Sequence, residues 1–574
     1  MSRQASGPPF ASCPRRRIRP VSDKGCGRID ALPHRGQTRR MDGGAKNPNW
    51  VRAIELQALE REGRMIWRHE GRQIALFATA GGVLACNNRC PHEGYPLSEG
   101  TLANGSAAGA CVLTCNWHNW KFDLSTGVNL DRGEGVRIYP VKLEQGAVWL
   151  DLTDPPLEAQ RARLLASLRS AFDDEDYERL ARELARLSAI GDPLEALRAA
   201  IAWSSERLEY GWTHAYAGMA CWLQLREERA GDAEAGLAAL LESLAPLAED
   251  CLRQERHPFT ESERAWSEED FLAAIEAEDE DAAVACLRGA LAAGLHFDDL
   301  DRAFTRAALA HYADFGHSLI YTVKAGELIA RLGPGVEAPV LLTLARSLIY
   351  ATREDLIPEF RDYAGALARW GGEGAAPEAA AYRGLNERRA LALTAGHGGA
   401  VPLDLYRALL GANAYNLLAF DIALQVRIEQ PVTDNASWLD VTHGITFAEA
   451  VRRQCTKYPA LWPQGLLQMA CFAGRNSRFN DPALSLDDWR VGDEAGFLRR
   501  AVDGLFDHGQ QENIVAVHLV KTVLAAREEL AQGLAGEGRA VLLAGLRRFL
   551  ESPLPRRHIR RTVKQAMALA AFRD

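Results

Sequence analysis

The sequence predicts a multidomain chain in which a small all-β domain is followed by a large all-α domain. Three observations carry this reading. Short runs of β-forming residues, broken by glycine turns, lie before residue 153; a Pro-marked break follows at Asp154-Pro155-Pro156; and from there apolar residues recur at helical spacing to the C-terminus. A length of 574 residues gives room for two or three domains. The 47% hydrophobic and 25% charged residues are those of an ordinary globular protein. The expected divisions are an arm over 1–45, a β domain over 48–153 and a helical domain over 158–574.

The first forty residues carry ten Lys or Arg against two Asp, without hydrophobic periodicity. Such a segment buries too little to order itself, so a disordered basic arm is expected. No apolar stretch follows Arg15-Arg16-Arg17, which argues against a secretory or twin-arginine signal, and Met41 is an alternative start. A net charge of −9 and the lack of aromatic residues among the basic ones argue against a nucleic-acid partner. No apolar run approaches the roughly eighteen residues that span a bilayer, so no membrane partner is expected. Of the eleven Cys, several stand alone on helix-like segments (Cys221, Cys251, Cys286, Cys455, Cys471), which is no disulfide framework. A cytoplasmic location is the expectation.

Within the β domain, Gln73 to Ala78 and Gly82 to Cys86 read as strands joined by a glycine turn, and Val136 to Val141 and Ala147 to Leu152 as further strands. Pro140 belongs at a strand edge, because it cannot donate to a central ladder. Beyond the linker, Ala159 to Ala171, Asp176 to Ser188, Leu194 to Leu208 and Phe271 to Ala277 read as helices. Asp192-Pro193 has the form of an N-cap followed by Pro at the first helical position. No fixed-period repeat signature is present.

Two runs about twenty residues apart carry the chemistry: Cys90-Pro91-His92 and Cys115-Asn116-Trp117-His118. Each offers one thiolate and one imidazole. Two Cys with two His is the ligand set of a Rieske [2Fe–2S] cluster, in which thiolates hold one iron and imidazoles the other. Tetrahedral zinc accepts the same four groups. Zinc fingers, however, pair Cys with Cys and His with His, whereas here each run contributes one of each, which suits a binuclear cluster gripped by two loops. Cys86 and Cys111 lack the spacing to a His and read as buried small side chains.

The flanking residues, Glu93-Gly94-Tyr95-Pro96-Leu97 after the first pair and Trp120-Lys121-Phe122-Asp123-Leu124-Ser125-Thr126-Gly127 after the second, resemble the Rieske ferredoxins and the Rieske domains of ring-hydroxylating oxygenases. The resemblance runs from about Trp50 to Leu152. It implies a [2Fe–2S] cofactor on Cys90, His92, Cys115 and His118, and an electron-donating reductase or ferredoxin as partner. Respiratory members of the family carry an extra Cys in each loop; here Tyr95, Asn116 and Trp117 stand in those places, so that disulfide is impossible and a low-potential centre is expected. Trp117 and Trp120 read either as shields of the outer iron or as packing residues. The mononuclear-iron signature of the oxygenase partner domain does not occur, so the resemblance stops at the Rieske domain.

The helical part contributes histidines on separate segments. Asp314-Phe315-Gly316-His317 and Asp440-Val441-Thr442-His443 each set Asp three residues before His, on one helical face, as Glu-x-x-His pairs are set in di-iron bundles. His311 precedes Asp314 by three. His214, His508 and His518 lie among apolar or aromatic neighbours. Each taken alone reads more readily as a hydrogen-bonded core residue; His214, His317, His443 and His518 together are the candidate catalytic set, with a second non-haem iron as a candidate cofactor. The segments Asp314 to Leu332 and Thr442 to Arg453, each a His entering an Ala-rich helix, are faintly similar to the questin oxidase-like family. That similarity implies oxygenation of an aromatic or polyketide-like small-molecule substrate.

Three functions compete on these grounds. The chain is an oxidoreductase whose cluster passes single electrons to a site in the helical domain, or a ferredoxin-like carrier whose helical domain docks a partner enzyme, or a redox sensor on a scaffold. Convergence of the histidines on one pocket favours the first, and scattering favours the second.

Overall fold

The computed structural model describes residues 48–104, 111–131, 133–251, 254–310, 314–353, 359–426 and 436–553. The basic arm, Cys13, Cys26 and His311 lie outside them. The chain divides into two compact units between Ser170 and Ala171.

The first unit is built from three three-stranded antiparallel sheets: β1 (Trp50–Glu55), β9 (Ala147–Asp151) and β8 (Val141–Glu144); β2 (Arg64–His69), β3 (Arg72–Thr79) and β4 (Gly82–Asn87); and β5 (Thr101–Asn104), β6 (Cys111–Thr114) and β7 (Lys121–Asp123). One short helix, α1 (Leu56–Glu62), follows β1. Strand β3 is the shared wall of two cores. Side chains alternate along a strand, so Ala75 and Phe77 face one core with Leu97, Leu113, Phe122 and Leu124, while Ile74 and Leu76 face the other with Leu59, Val148 and Leu150. Cys90 and Cys115 belong to the first of these cores, which places the paired loops against its apolar floor.

The strand expected over Val136 to Val141 forms later. Ile138 makes only an isolated bridge to Cys86, and β8 begins at Val141. Gly127 and Gly135 explain the delay: a Cβ on Gly127 would lie 2.2 Å from the Val136 carbonyl oxygen and one on Gly135 2.6 Å from the Gly127 carbonyl oxygen, so the two backbones cross tightly there in place of a ladder. Cys86 is fully buried as expected, whereas Cys111 is half-buried. Asp154, Pro155 and Pro156 lie outside any element.

The rest is helical. Helices Leu157–Asp173, Tyr177–Ile190 and Glu268–Glu276 cover the expected segments, except that Asp176 is the N-cap of the second and Ala277 the C-cap of the third. The helix expected to reach Leu208 ends at Ser204, and its N-cap is Pro193, with Asp192 Oδ1 accepting from the Leu194 amide at 3.0 Å. Among the described residues no helix is long and apolar enough to cross a membrane.

Four helices form a closed ring in the second unit: α2 (His214–Glu228), α3 (His317–Leu332), α4 (Trp438–Lys457) and α5 (Asn513–Ala531). Each packs on the next, and α5 packs back on α2. Their middle turns are buried nearly all round, as in helices central to a large core. In α5 every residue from Val515 to Ala526 is buried, including His518 and Lys521. The starts of α2 and α4 are set by side chains: Thr213 Oγ1 accepts from the Ala215 amide, and Ser437 and Asp440 form a reciprocal capping box. Helix α3 starts differently, as its place in the site requires.

Candidate functional site

The first site lies on the two ligand loops, which share one backbone design. The Cys90 amide donates to the Tyr95 carbonyl at 2.9 Å, and the Gly94 amide returns to the Cys90 carbonyl at 2.8 Å. The Cys115 amide donates to the Trp120 carbonyl at 2.8 Å, and the Asn119 amide returns to the Cys115 carbonyl at 2.9 Å. In both loops the fifth residue is left-handed, Gly94 at φ 76° and Asn119 at φ 63°. Gly and Asn are the residues that enter that region most readily. Asn116 joins the loops, donating from Nδ2 to the Glu99 carbonyl at 2.8 Å while its Oδ1 accepts from Thr101 at 2.9 Å.

The donor set is layered. Cys90 and Cys115 are buried at 4% and 0% exposure, and the amides of His92 and Glu93 donate to the Cys90 sulfur. Burial and the neighbouring Cys115 push the Cys90 thiol up to about 12 against the two amides, which favour the thiolate, so a bound cation is what would hold the thiolate there at neutral pH. The imidazoles lie outside, with His92 Nδ1 and His118 Nδ1 only 3.1 Å apart. Two nitrogens bonded to one metal at about 2.1 Å subtend roughly 95° at that separation. Inner thiols and outer imidazoles aimed at a common point therefore fit the two irons of the cluster. Each ring lies on an indole: Trp120 stacks on His92 at 4.6 Å, and Trp117 stacks on His118 at 5.4 Å. Trp120 packs against the core as well, while Trp117 is 59% exposed.

The second site lies in the four-helix ring, where His214, His317, His443 and His518 come together, one from each helix. His214 Nε2 is 3.0 Å from His317 Nε2, and His443 Nε2 is 3.3 Å from His518 Nε2. Ring centroids of His214 and His518 are 4.7 Å apart, and those of His317 and His443 are 4.6 Å apart. His443 and His518 are 5% and 2% exposed. Their Nδ1 atoms meet the carbonyls of Leu439 at 2.6 Å and Ile514 at 2.7 Å. A carbonyl only accepts, so Nδ1 carries the proton in both rings and both Nε2 lone pairs face each other. Two acceptors 3.3 Å apart are placed to share a cation. A proton is disfavoured, because burial and the neighbouring rings hold His443 well below its ordinary value, and burial with Lys521 does the same to His518 and His214. A metal satisfies the pair, and the carbonyl-oriented imidazole is the usual outer-shell arrangement of a metal-binding His.

The remaining candidates are placed elsewhere. Asp440 does not join His443: its Oδ2 caps Ser437 and its Oδ1 accepts from Arg475 at 3.2 Å, so the Asp-x-x-His spacing serves helix capping there. His508 Nε2 meets Glu242 at 3.1 Å, and its Nδ1 accepts from the Gln510 amide at 3.0 Å, which satisfies both nitrogens.

Helix α3 enters through two consecutive left-handed residues, Phe315 at φ 53° and Gly316 at φ 80°, which set His317 at its first position. Gly316 is pressed on α4: a Cβ there would lie 2.5 Å from the ring of buried Phe447. Gly316→Ala is therefore expected to cost about 2–4 kcal/mol, from left-handed strain and overpacking together. Urea unfolding followed by far-ultraviolet circular dichroism measures it.

Sequence reasoning missed Lys521 and Tyr321. Tyr321 stacks on His317 at 5.4 Å. Lys521 was visible as a lone charge in an apolar run, Val517 to Val523, a placement that Lys rarely takes. It is 2% exposed, its Nζ has no hydrogen-bond partner, and burial pushes its ammonium down to about 7.

Two Cys–His loops on a small β unit, thiols inside and imidazoles outside, define a Rieske-like [2Fe–2S] domain. Residues 49–151 match the family model of that description. The 4beta-methylsterol monooxygenase of Methylococcus capsulatus is 36% identical over 141 residues, which are 22% of this chain and 36% of that protein. Protein TIC 55, chloroplastic, of Arabidopsis thaliana is 34% identical over 90 residues, 14% of this chain and 16% of that protein. The chain thus spans about a third and about a sixth of these two relatives. The ferredoxin component of the naphthalene 1,2-dioxygenase system of Pseudomonas putida is 28% identical over 106 residues, 18% of this chain and 96% of that protein. Among solved structures, the putative NADH-dependent nitrite reductase small subunit from Mycobacterium tuberculosis is 23% identical over 19% of this chain and all of that one, with a TM-score of 0.18. The β unit is homologous to the Rieske domains of such ferredoxins and oxygenases, and an electron-transfer role fits it.

Proposed function

We propose that this protein is a Rieske-type oxidoreductase whose helical unit holds a second metal on His214, His317, His443 and His518 and binds a small-molecule substrate beside it. The observation that carries the proposal is the pair of Nε2 lone pairs facing each other across 3.3 Å, with the His214–His317 pair beside them. Edges of 3.0 and 3.3 Å are those of nitrogens sharing one metal at about 2.1 Å. A folded chain holds such a cluster of acceptors in its core only where something binds it.

Cys90, His92, Cys115 and His118 would hold the [2Fe–2S] group, which supplies single-electron transfer when bound. The chain's own part is positional. The apolar core under Cys90 and Cys115 excludes water from the thiols, and the exposed imidazole edges leave the outer side open to a reductase or ferredoxin. In the helical unit, the carbonyls of Leu439 and Ile514 fix one tautomer, and Tyr321 holds the plane of His317. Imidazole suits iron, copper and zinc alike; a one-electron donor in the same chain favours iron. The monooxygenase and dioxygenase-system relatives support an oxygenase reading, and the questin oxidase-like resemblance points to an aromatic or polyketide-like substrate.

The second reading, a ferredoxin-like carrier with a docking module, is favoured by one observation: a free-standing ferredoxin component is matched over 96% of its length. Iron, other metals and acid-labile sulfide per chain in anaerobically purified protein decide between the two. Two sulfides with three irons are expected. Two of each with no further metal would leave the carrier reading.

A further inference from the structure

The first ligand loop carries a carboxylate at the imidazole layer. Glu93 lies between His92 and the left-handed Gly94, and its amide donates to the Cys90 sulfur, so its backbone is part of the ligand loop. Its side chain reaches both rings. Oε1 is 4.0 Å from His92 Nε2, and Oε2 is 4.0 Å from His118 Nδ1, although His118 belongs to the other loop. Glu93, His92 and His118 form a group whose donor atoms all lie within 4.8 Å of one another.

The ionic groups around it are engaged with other partners. Glu99 Oε2 accepts from the Tyr95 hydroxyl at 3.2 Å, Asp131 pairs with Lys121 at 3.2 Å, and Asp123 accepts from Ser125 and Thr126. Between Glu93 and the two rings, 4.0 Å is too long for a hydrogen bond. What acts across that separation is charge. The Glu93 side chain is 52% exposed, and a carboxylate in contact with solvent is anionic at neutral pH.

Resting on the cluster reading above, we infer that Glu93 keeps the reduction potential of the cluster low by holding a negative charge against both imidazole ligands. Reduction takes one electron from the reductase or ferredoxin and adds one negative charge to the cluster; no bond to Glu93 forms or breaks. A carboxylate already beside the ligands disfavours that added charge, and net charge is one of the levers that fix the potential of an iron–sulfur centre. In bulk water two unit charges 4 Å apart change an equilibrium about fivefold, and they change it more where protein replaces water. Glu93 acts through the ligands and touches no substrate. Its consequence is a reduced cluster that gives up its electron more readily to the next acceptor.

The test is an anaerobic redox titration of the whole chain with its cluster, at pH 7, followed by the visible absorption of the cluster. Iron and acid-labile sulfide are measured in each protein. Glu93→Gln is expected to favour reduction about tenfold, which for one electron is a rise of about 59 mV. Glu93→Asp should stay close to the wild type, and Glu93→Lys should lie above Glu93→Gln, an order by charge that a purely structural role does not produce. A change of less than twofold in Glu93→Gln, a fall in its potential, or an equal rise in Glu93→Asp overturns the inference. So does loss of iron or sulfide in Glu93→Gln, which would make Glu93 a ligand or a support of the loop. Absence of sulfide from the wild type would overturn the cluster reading itself.

Discussion

Replacing His443 by Ala is expected to empty the helical site while leaving the cluster untouched. His443 borders the three other imidazoles: its Nε2 lies 3.3 Å from His518 Nε2, and its centroid is 6.0 Å from His214, 4.6 Å from His317 and 4.8 Å from His518. Removing an outer-shell partner of a metal-binding His costs about 10–100-fold in affinity, so loss of the ring itself should exceed 100-fold. The variant should keep two irons, two sulfides and the visible spectrum of the cluster, lose the additional metal, and lose substrate turnover. His443→Asn retains a polar group at the position and controls for the cavity that Ala leaves. Retention of the additional metal in both variants would remove the histidines from the site.

The cluster loops were legible in the sequence because their chemistry is local. Cys90 to His92 and Cys115 to His118 are each a few residues long, their residue types are rare together, and the left-handed positions are filled by Gly94 and Asn119, which announce a turn. The helical site is assembled from four segments spread over three hundred residues. Periodicity places a residue on a helix face, but it does not say which faces meet. That His214, His317, His443 and His518 come together was suggested only by their apolar settings, and the closing of the ring of helices is a tertiary fact. The same limit explains Asp440. Its spacing to His443 is that of a metal ligand, yet a carboxylate three residues into a helix that starts with Ser is equally a capping-box partner, and Arg475 from a distant helix fixes it in that use. The strand that starts at Val141 instead of Val136 is set by the close backbone approach of Gly127 to Val136, which composition does not reveal.

Cys115→Ser is the converse experiment, and a comparison within the same core makes it specific. Cys115 and Cys86 are both fully buried members of one apolar cluster, so the cost of placing a hydroxyl in that core, about 1–3 kcal/mol where it finds no partner, is similar at either position. They differ in surroundings. Cys115 shares its environment with Cys90, whose thiol feels its charge, and it lies in the loop that carries His118; Cys86 sits on β4, pushed up to about 12 by burial alone. A serine hydroxyl does not replace a thiolate that must bridge protein to iron. Cys115→Ser is therefore expected to reduce acid-labile sulfide to zero and abolish visible absorption and reductase-dependent turnover. Cys86→Ser should keep the cluster at a comparable loss of unfolding free energy. The two units are separately compact, so the metal on the helical histidines should persist in both variants. Measured together with His443→Ala, this gives one chain that keeps the second metal without electrons and another that keeps the electrons without the second metal. Loss of turnover in both is the result required if the reaction takes place at the histidines and is driven through the cysteines. Turnover surviving Cys115→Ser would mean that the helical unit works without the Rieske domain.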